Sequence, residues 1–200
     1  MATVRPLRDP IEIFQQLLNQ AQQLPKEQMP EPTAFSLATV GDDGQPSVRM
    51  MLLKHADRDG FVFYTNLESR KGRELNASRR AAMNFFWAQL GRQVRVEGPV
   101  TLVSGADADA YFASRPRGSQ IGAWASRQSR TLDNAGALDA RVADFEKQYA
   151  DQIVPRPPFW SGFRLTPDTI EFWHGRPNRL HERQLFVREG KGWRVQLLYP

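Results

Sequence analysis

The spacing of apolar and polar positions, interrupted by turn-forming residues, predicts a chain built mainly from short strands. The expected strands cover residues 34–40, 47–54, 60–65, 81–87, 93–103, 159–165, 169–173, 179–187 and 193–198. The runs G-D-D-G-Q-P and A-D-R-D-G separate the first three strands, which predicts an antiparallel meander. A break around Gly91 separates the fourth strand from the fifth.

The first helix is expected to begin at Pro10, with Asp9 as its N-cap and Glu12 three residues after the cap. Pro25 should end it, because proline cannot continue a helical hydrogen-bond ladder. Its apolar residues share one face, which indicates packing on a larger body, and they are Phe14, Leu17, Leu18, Ala21 and Leu24.

Three further helices are expected, one after Ser69 and two over residues 106–114 and 134–149, the last two stopped by prolines. No repeat, low-complexity tract or long linker divides the chain. The pattern therefore predicts an α+β fold, mainly antiparallel β, in which a closed or partly closed barrel carries peripheral helices. We expect one domain over residues 1–200, with residues 1–30 as an N-terminal arm and helix.

The segment from Ile170 to Arg183 concentrates cationic and aromatic side chains. On an extended strand, Arg179, His181 and Arg183 project from one face, because side chains alternate. Three potentially cationic groups on one face repel one another unless an anion or an electron-rich ring lies against them. This row is a candidate binding wall, with Trp173 just upstream. A structural strand histidine is the alternative interpretation of His181.

A second cluster lies where a strand runs into a turn and then a helix. Thr65 and Ser69 supply hydroxyls there, and Arg70 and Lys71 supply cations. Together with backbone N–H groups at a helix start, these side chains would hold a phosphate. The alternative is that Ser69 only caps the helix and that both cations are solvated.

A third cluster surrounds a proline break. Tyr111 and Arg115 stand four residues apart, which would place both on one helical face, and Ser119 follows the break. A phenol, a guanidinium and a hydroxyl that converge could bind a second phosphate. The alternative is a helix end that carries an exposed arginine.

Isolated polar residues complete the candidates. Arg49 and Lys54 interrupt a mostly apolar strand, so they need partners unless their stems simply reach water. Gln93, Gln128 and Ser129 offer amide and hydroxyl groups suited to the edge of a heterocycle.

Composition and motifs exclude several kinds of site. Cysteine is absent, so disulfides, thiolate nucleophiles and Cys-ligated metals are excluded. The three histidines are dispersed and no paired carboxylates occur in these segments, so we expect no metal site. No G-x-G-x-x-G follows a strand, so any nucleotide cofactor needs a cradle other than a Rossmann fold.

The net charge of +5 is compatible with nucleic acid or with small phosphorylated ligands. The basic residues are scattered as short pairs rather than gathered into a tail or one helical face, which favours small-anion pockets over nucleic acid. The N-terminus lacks a signal-peptide core and no run is long enough to span a membrane, so we expect a cytoplasmic protein.

These segments occur together, in one order, in a known family. The order I-E-F-W, five residues, then R-L-H-E-R closely resembles the C-terminal signature of the pyridoxamine 5′-phosphate oxidase family. The resemblance extends over nearly the whole chain and implies a split β-barrel of FMN-binding type. It also implies a homodimer with FMN at the subunit interface. The family commonly ends in Arg-Leu-x-Pro, whereas Leu197 replaces that arginine here, which puts an anion contact from the last strand in doubt.

The resemblance assigns the candidate residues to two ligands. Around the FMN phosphate it implies Arg49, Thr65, Ser69, Arg70, Lys71 and Ser129. Around the rest of the flavin it implies Met50, Met51, Leu52, Lys54, Tyr64, Gln93, Gln128, Trp173 and Arg183. For the substrate phosphate it implies Lys54, Tyr111, Arg115 and Ser119, and it places the catalytic pair Arg179 and His181 over the substrate pyridine ring.

The implied reaction is oxidation of pyridoxamine 5′-phosphate and pyridoxine 5′-phosphate to pyridoxal 5′-phosphate. FMN takes the electrons and O2 reoxidises it, which releases hydrogen peroxide, and the amine substrate also releases ammonia. One alternative is a related flavin oxidase with another substrate, such as the phenazine-pathway relatives of this family. The other is a non-catalytic protein that binds FMN or nucleic acid.

Overall fold

The computed structural model describes residues 9–200, so the residues of the predicted N-terminal arm before Asp9 lie outside the described part. Within it the helices are α1 (Pro10–Gln22), α2 (Arg70–Ser78), α3 (Gly105–Ala113), α4 (Arg117–Ala125) and α5 (Ala137–Gln148). The strands are β1 (Ala34–Val40), β2 (Pro46–Leu52), β3 (His55–Asp57), β4 (Gly60–Asn66), β5 (Arg80–Trp87), β6 (Arg92–Leu102), β7 (Trp160–Leu165), β8 (Thr169–His174), β9 (Glu182–Glu189) and β10 (Gly192–Leu198).

The strands form one antiparallel sheet that branches at β6. The main path runs β10-β9-β8-β6-β5-β1-β2. Residues 92–97 of β6 pair with β8, whereas residues 100–102 pair with β7, which continues to β4 and β3. Because a single long strand serves both branches, the sheet curls around its core as a half-barrel. The predicted α+β fold, mainly antiparallel with peripheral helices, is confirmed.

Aromatic side chains from α1 and from both branches of the sheet fill the barrel, and the largest fully buried ones are Phe14, Phe35, Phe61, Phe63, Phe85, Trp87 and Phe163. Helix α1 packs on this core, as predicted. Its N-cap Asp9 accepts a hydrogen bond from Ile11 N at 2.9 Å. Phe14 packs edge-on against Phe61 and Phe85, with ring centroids 4.8 and 4.9 Å apart. Such edge-to-face pairs add to the free energy of burial.

Three expectations about the elements and their connections were wrong. The first three predicted strands do not form a meander, because β2 pairs only with β1 while β4 pairs with β3 and β7. The chain changes branch after β2, where Leu53 N donates to Thr33 O and Lys54 N donates to Val62 O. Helix α4 was missed because Pro116 was read as a break, whereas it is the N-cap of that helix. Helix α5 begins at Ala137 rather than at residue 134.

The C-terminal row also departs from the prediction. Residues Pro177–Arg179 form a 3₁₀ turn, and β9 begins only at Glu182. Asn178 and Arg179 have φ of 57° and 60°, in the left-handed region that a continuous strand does not contain. Strand alternation therefore does not place Arg179 and His181 on the face of Arg183. Among the described residues no helix has the length and apolarity needed to cross a membrane.

Candidate functional site

A cavity of about 690 Å³ lies between β2, β4 and the segment that carries α3 and α4. Many residues singled out from the sequence line it: Met50, Met51, Leu52, Lys54, Tyr64, Thr65, Lys71, Tyr111, Arg115, Ser119 and Gln128. Residues that the sequence did not indicate also line it: Asn66, Ser114, Pro116, Gly122, Ala123, Ser126 and Trp160. Its volume is in the range of pockets that hold cofactors and small ligands.

Lys71 brings a buried ammonium group to this cavity. Ser69 caps α2 by accepting from Gly72 N at 3.2 Å, so Lys71 lies in the first turn of the helix. Its Nζ donates to Gln128 Oε1 at 2.9 Å, and Ser69 Oγ lies 3.5 Å away. Burial lowers the pKa of Lys71, and the nearby charge of Arg49 lowers it further.

No carboxylate in the described chain, residues 9–200, lies within 4.0 Å of that ammonium. A buried cation without a counter-ion is electrostatically costly, and the cost is relieved when an anion binds beside it. Gly72 allows the helix start to lie this close to the end of β4, since a Cβ there would come within 2.4 Å of Leu67 O. The first turn of α2 is therefore suited to hold a phosphate.

Arg49 and Arg70 are different, because both bind Glu74. Arg70 Nε donates to Glu74 Oε1 at 2.8 Å, and Arg49 Nη2 lies 3.3 Å from Glu74 Oε2. Thr39 and Ser47 also donate to Oε2, at 2.5 and 2.6 Å. Burial alone would raise the pKa of Glu74, but the hydrogen bonds from Ser47, Thr39 and Arg70 outweigh it and lower that pKa to about 2. The carboxylate therefore stays ionised.

Arg115 brings a second cation to the cavity. It lies in the link between α3 and α4, so the expectation that Tyr111 and Arg115 share one helical face was wrong, because α3 ends at Ala113. The two still meet at the cavity wall. The guanidinium lies over the Trp160 ring at 4.8 Å and over the Phe112 ring at 5.5 Å. The aromatic faces attract it and hold it in place.

The Arg115 guanidinium has an unsatisfied donor. Its Nη1 is buried and has no hydrogen-bond partner in the described structure. Burial lowers the pKa of Arg115, while Tyr111 acts in the opposite direction. Tyr64 stacks on Tyr111 at 4.0 Å and on Trp160 at 5.3 Å, so an aromatic wall faces the cation. A buried donor that lacks a partner marks a place where a ligand atom can accept a hydrogen bond.

Three residues assigned to the flavin lie side by side on another part of the sheet. Gln93 pairs with Trp173 across β6 and β8, and Trp173 pairs with Arg183 across β8 and β9. Arg183 is bound to the buried carboxylate of Glu171 through Nε at 2.7 Å and Nη2 at 3.1 Å. Arg95 binds the same carboxylate. This row of three does not line the main cavity of the chain.

The bonds between Arg183 and Glu171 shift both groups. The hydrogen bond to Glu171 raises the pKa of Arg183. Burial would raise the pKa of Glu171, but the hydrogen bonds and charges of Arg183 and Arg95 outweigh it, so that pKa is lowered. Both partners are therefore charged and fixed.

The catalytic candidates Arg179 and His181 lie in the turn that precedes β9, also outside the main cavity. His181 packs against Trp173, with ring centroids 4.6 Å apart. Its Nδ1 accepts a hydrogen bond from Arg176 N at 3.2 Å. A nitrogen that accepts carries no proton, so Nε2 is the ring atom left to face a ligand.

Two of the predicted residues, Ser129 and Gln93, line other cavities. Ser129 is exposed, has φ of 71° and lines a small neighbouring cavity with Arg127 and Arg130. Gln93 lines another cavity of about 420 Å³, which it shares with Met50. Within residues 9–200, no group of three or more His, Asp or Glu side chains is arranged to hold a metal ion.

Comparison with known proteins identifies the family. Residues 22–149 match the family model described as pyridoxamine 5′-phosphate oxidase. Residues 160–200 match the model of the pyridoxine 5′-phosphate oxidase C-terminal dimerisation region. The chain belongs to the pyridoxamine 5′-phosphate oxidase family. The resemblance noted from the sequence is confirmed, and the dimerisation region supports a homodimer.

Curated relatives agree with this family. A pyridoxine/pyridoxamine 5′-phosphate oxidase of Myxococcus xanthus (strain DK1622) is 57% identical over 192 residues, which cover 96% of this chain and 92% of the relative. One of Brucella canis is 55% identical over 195 residues, covering 96% of this chain and 94% of the relative. Members of an oxidoreductase family thus match almost end to end.

Solved structures confirm the fold. PhzG from Burkholderia lata 383, in complex with tetrahydrophenazine-1-carboxylic acid, superposes with a TM-score of 0.88 at 31% identity and covers 98% of this chain and 94% of its own. A pyridoxamine 5′-phosphate oxidase-related, FMN binding protein of Nostoc punctiforme has a TM-score of 0.75 at 17% identity, covering 98% and 100%. The split barrel of FMN-binding type is therefore confirmed.

Sequence reasoning missed three residues that organise the site: Glu74, Glu171 and Trp160. Glu74 stands four residues after Arg70, a spacing typical of a helical ion pair, and this signal could have been read. Glu171 stands in the I-E-F-W signature but was given no role, and Trp160 gave no local signal. Their partners Arg183 and Arg115 come from other elements of the fold.

Proposed function

We propose that this protein oxidises pyridoxamine 5′-phosphate and pyridoxine 5′-phosphate to pyridoxal 5′-phosphate with FMN as cofactor and O2 as electron acceptor. The observation that carries the proposal is a single cavity lined by two cations, the buried Lys71 and the half-buried Arg115, that lack carboxylate partners within residues 9–200. The cofactor and the substrate each carry one phosphate. Relatives that bear this activity in their names match almost the whole chain.

The cavity residues fit FMN. Lys71 would bind its phosphate, helped by Thr65 and by the free terminal nitrogens of Arg70. The apolar strand residues Met50 to Leu52 offer a surface for a flat ring, and Gln128 can reach polar atoms. The guanidinium of Arg49 donates to Leu37, Thr39, Ser47 and Glu74, so it would act mainly by holding β2 and α2 beside the cavity.

The substrate phosphate would lie at Arg115. Its unpartnered Nη1 needs an acceptor, and the phenol of Tyr111, the hydroxyl of Ser119 and the ammonium of Lys54 line the same cavity. The stacked rings of Tyr64, Tyr111 and Trp160 keep this end apolar around the charge. Binding energy from the phosphate would then align the reacting carbon.

FMN, when bound, accepts two electrons from the substrate and delivers them to O2 as hydrogen peroxide. The protein orients the two rings. Arg179 would hold the substrate ring, and His181 would present Nε2 for orientation or for moving a proton. Because Nδ1 accepts from Arg176 N, the imidazole is held with one defined nitrogen free.

The homodimer would complete the site. In one chain the row of Gln93, Trp173 and Arg183 and the turn with Arg179 lie apart from the cavity. Strand β2 presents Val48 and Met50 with 68% and 64% of their surface exposed, which suits contact with a second subunit. We propose that FMN lies at this interface and contacts residues of both subunits.

We further propose that the chain, residues 1–200, is a single domain, which is supported within the described residues by β6, because it pairs with strands of both matched regions. A phenazine-pathway activity is less favoured, because the PhzG structure is 31% identical whereas the two curated oxidases are 55% and 57% identical.

The test is direct. The purified protein, saturated with FMN, should show a flavin absorption spectrum, form pyridoxal 5′-phosphate from either substrate and consume O2. Equal amounts of product and hydrogen peroxide are expected. A protein that binds no FMN, or that binds it and leaves both substrates unchanged, would contradict the proposal.

A further inference from the structure

Glu74 is the one carboxylate that contacts the cations next to the proposed FMN phosphate, as far as residues 9–200 are concerned. It is 7% exposed and lies on α2, on the side that faces β1. Four donors converge on it: Thr39, Ser47, Arg49 and Arg70. The sheet brings the first three together, because Thr39 and Ser47 are cross-strand partners and Arg49 follows on the same face of β2.

The consequence for Arg70 is a fixed side chain. Glu74 stands one helical turn after Arg70 and accepts from its Nε at 2.8 Å. The two terminal nitrogens of Arg70 make no hydrogen bond to any residue of the described chain. An arginine that is free in solution loses rotamer entropy when it binds a phosphate, and a held side chain has already lost it.

We propose that Glu74 is a positioning residue for the FMN phosphate, acting through Arg70 rather than by contact with the cofactor. This inference rests on the proposed function. The bond from Nε to the carboxylate fixes the guanidinium of Arg70 and leaves its two terminal nitrogens available to the phosphate. Its own charge is balanced by Arg49 and Arg70 and stabilised by two hydroxyl donors, so it does not repel the phosphate strongly.

The experiment compares FMN with riboflavin, which has the same ring system but no phosphate. Apo-protein is titrated with each, and quenching of flavin fluorescence gives the dissociation constant. In Glu74→Gln we expect FMN to bind about tenfold more weakly and riboflavin to change by less than about twofold, because only the phosphate contact is disturbed. Equal weakening of both ligands, or unchanged FMN binding, would overturn the proposal.

A double-mutant cycle tests whether the effect passes through Arg70. Adding Glu74→Gln to Arg70→Ala should cost less than about twofold further in FMN affinity, since the side chain to be positioned is gone. Multiplicative effects of the two substitutions would contradict an action through Arg70.

A second variant covers the case in which Glu74→Gln does not fold. Arg70→Lys keeps the charge at a residue that is 53% exposed, but it removes the Nε donor that Glu74 holds. We expect it to lose about fivefold or more in FMN affinity with riboflavin unchanged. FMN binding equal to that of the wild-type protein would show that positioning is not needed.

Asp57→Asn is the matched control. Asp57 is also a partly buried carboxylate, bound to Arg164 at 2.5 Å, with a lowered pKa, but it does not line the cavity. The Asp57→Asn protein should be less stable than the wild-type protein, and its FMN affinity should stay within about twofold. If the wild-type protein fails to bind FMN, the proposed function falls together with this inference. If the wild-type protein binds and the variants match it, only the role of Glu74 falls.

Discussion

Two regions of this molecule handle their cations in opposite ways. In the cavity, Lys71 is buried and Arg115 is half-buried, and neither has a carboxylate partner in the described chain. On the C-terminal strands, Arg183 and Arg95 share the buried carboxylate of Glu171. Glu171 balances the charge of both arginines within the chain, although Arg95 Nε has no hydrogen-bond partner among the described residues, whereas a cation without a carboxylate partner is balanced only by a ligand. Substitution of Lys71 or Arg115 should therefore weaken mainly ligand binding, and removal of the Glu171 carboxylate should weaken mainly the folded state.

The largest effect is expected from acid. The unfolded-state pKa of Glu74 is 4.5 and the folded-state pKa is about 2, so its contribution to stability is complete above pH 4.5 and is lost as pH falls toward 2. For this group alone the loss is on the order of 3 kcal/mol. Urea unfolding of the apo-protein at several pH values should show it.

The matching variant is Glu74→Gln, whose stability should depend less steeply on pH between 4.5 and 2. The lowered pKa of Glu171 adds a decline of the same sign in both proteins. Identical pH dependence of the wild-type protein and the variant would count against the assigned role of Glu74 in stability.

Removing the paired carboxylate of the second region should come next. Glu171→Ala leaves Arg95 and Arg183 without their partner, which should cost about 2–3 kcal/mol in the free energy of unfolding, because both arginines keep some access to water. Urea denaturation of the apo-protein measures it. A loss below about 0.5 kcal/mol, as for an exposed ion pair, would contradict the view that these pairs stabilise the fold.

Removing the ammonium group of Lys71 should have the opposite effect, because binding should weaken while stability should not. Lys71→Met deletes a buried charge, so the apo-protein should be as stable as the wild-type protein or more so. FMN affinity should fall roughly 10- to 100-fold, because a charge-assisted hydrogen bond to phosphate is lost. Fluorescence titration and thermal unfolding of the same samples decide it. A less stable apo-protein with normal FMN binding would show that Lys71 serves the fold, as we expect of the arginines that share Glu171.

Arg115→Ala tests the same comparison at the proposed site of the substrate phosphate. We expect the Michaelis constant to rise roughly 10-fold, at the lower end of the range for a lost phosphate contact, while FMN stays bound. Steady-state kinetics with pyridoxine 5′-phosphate measures the change. Arg58→Ala, which removes a side chain that is 83% exposed, is the control for net charge. An unchanged Michaelis constant in Arg115→Ala would remove Arg115 from the substrate site.

Features that depend on residues close together in the sequence could be predicted. The Asp9 cap and Pro10 define the start of α1, and Ser69 defines the start of α2, because capping depends on residues two or three positions apart. The motif around Lys71 and the segment from Tyr111 to Ser119 pointed to phosphate groups, since both clusters lie within short stretches of chain. These same residues meet in one cavity.

The turn before β9 shows where local evidence fails. The sequence from Arg179 to Arg183 alternates as a strand would, yet Asn178 and Arg179 adopt left-handed backbone angles and β9 starts at Glu182. The turn is held by contacts beyond the local pattern, among them Gly175 N to Gly91 O and Arg176 to Glu182. Tertiary bonds outweigh a weak local preference for extended backbone.

By itself, then, the sequence determined the family, the mainly antiparallel fold and the short motifs that carry phosphate-binding side chains. The tertiary structure decided which of those cations are free and which are paired. Glu171 reaches Arg183 across β8 and β9, and Trp160 lies under Arg115, although long stretches of chain separate some of these partners. The physical reason is that charge pairing and burial depend on strand register and barrel closure, which bring together residues that no local spacing relates.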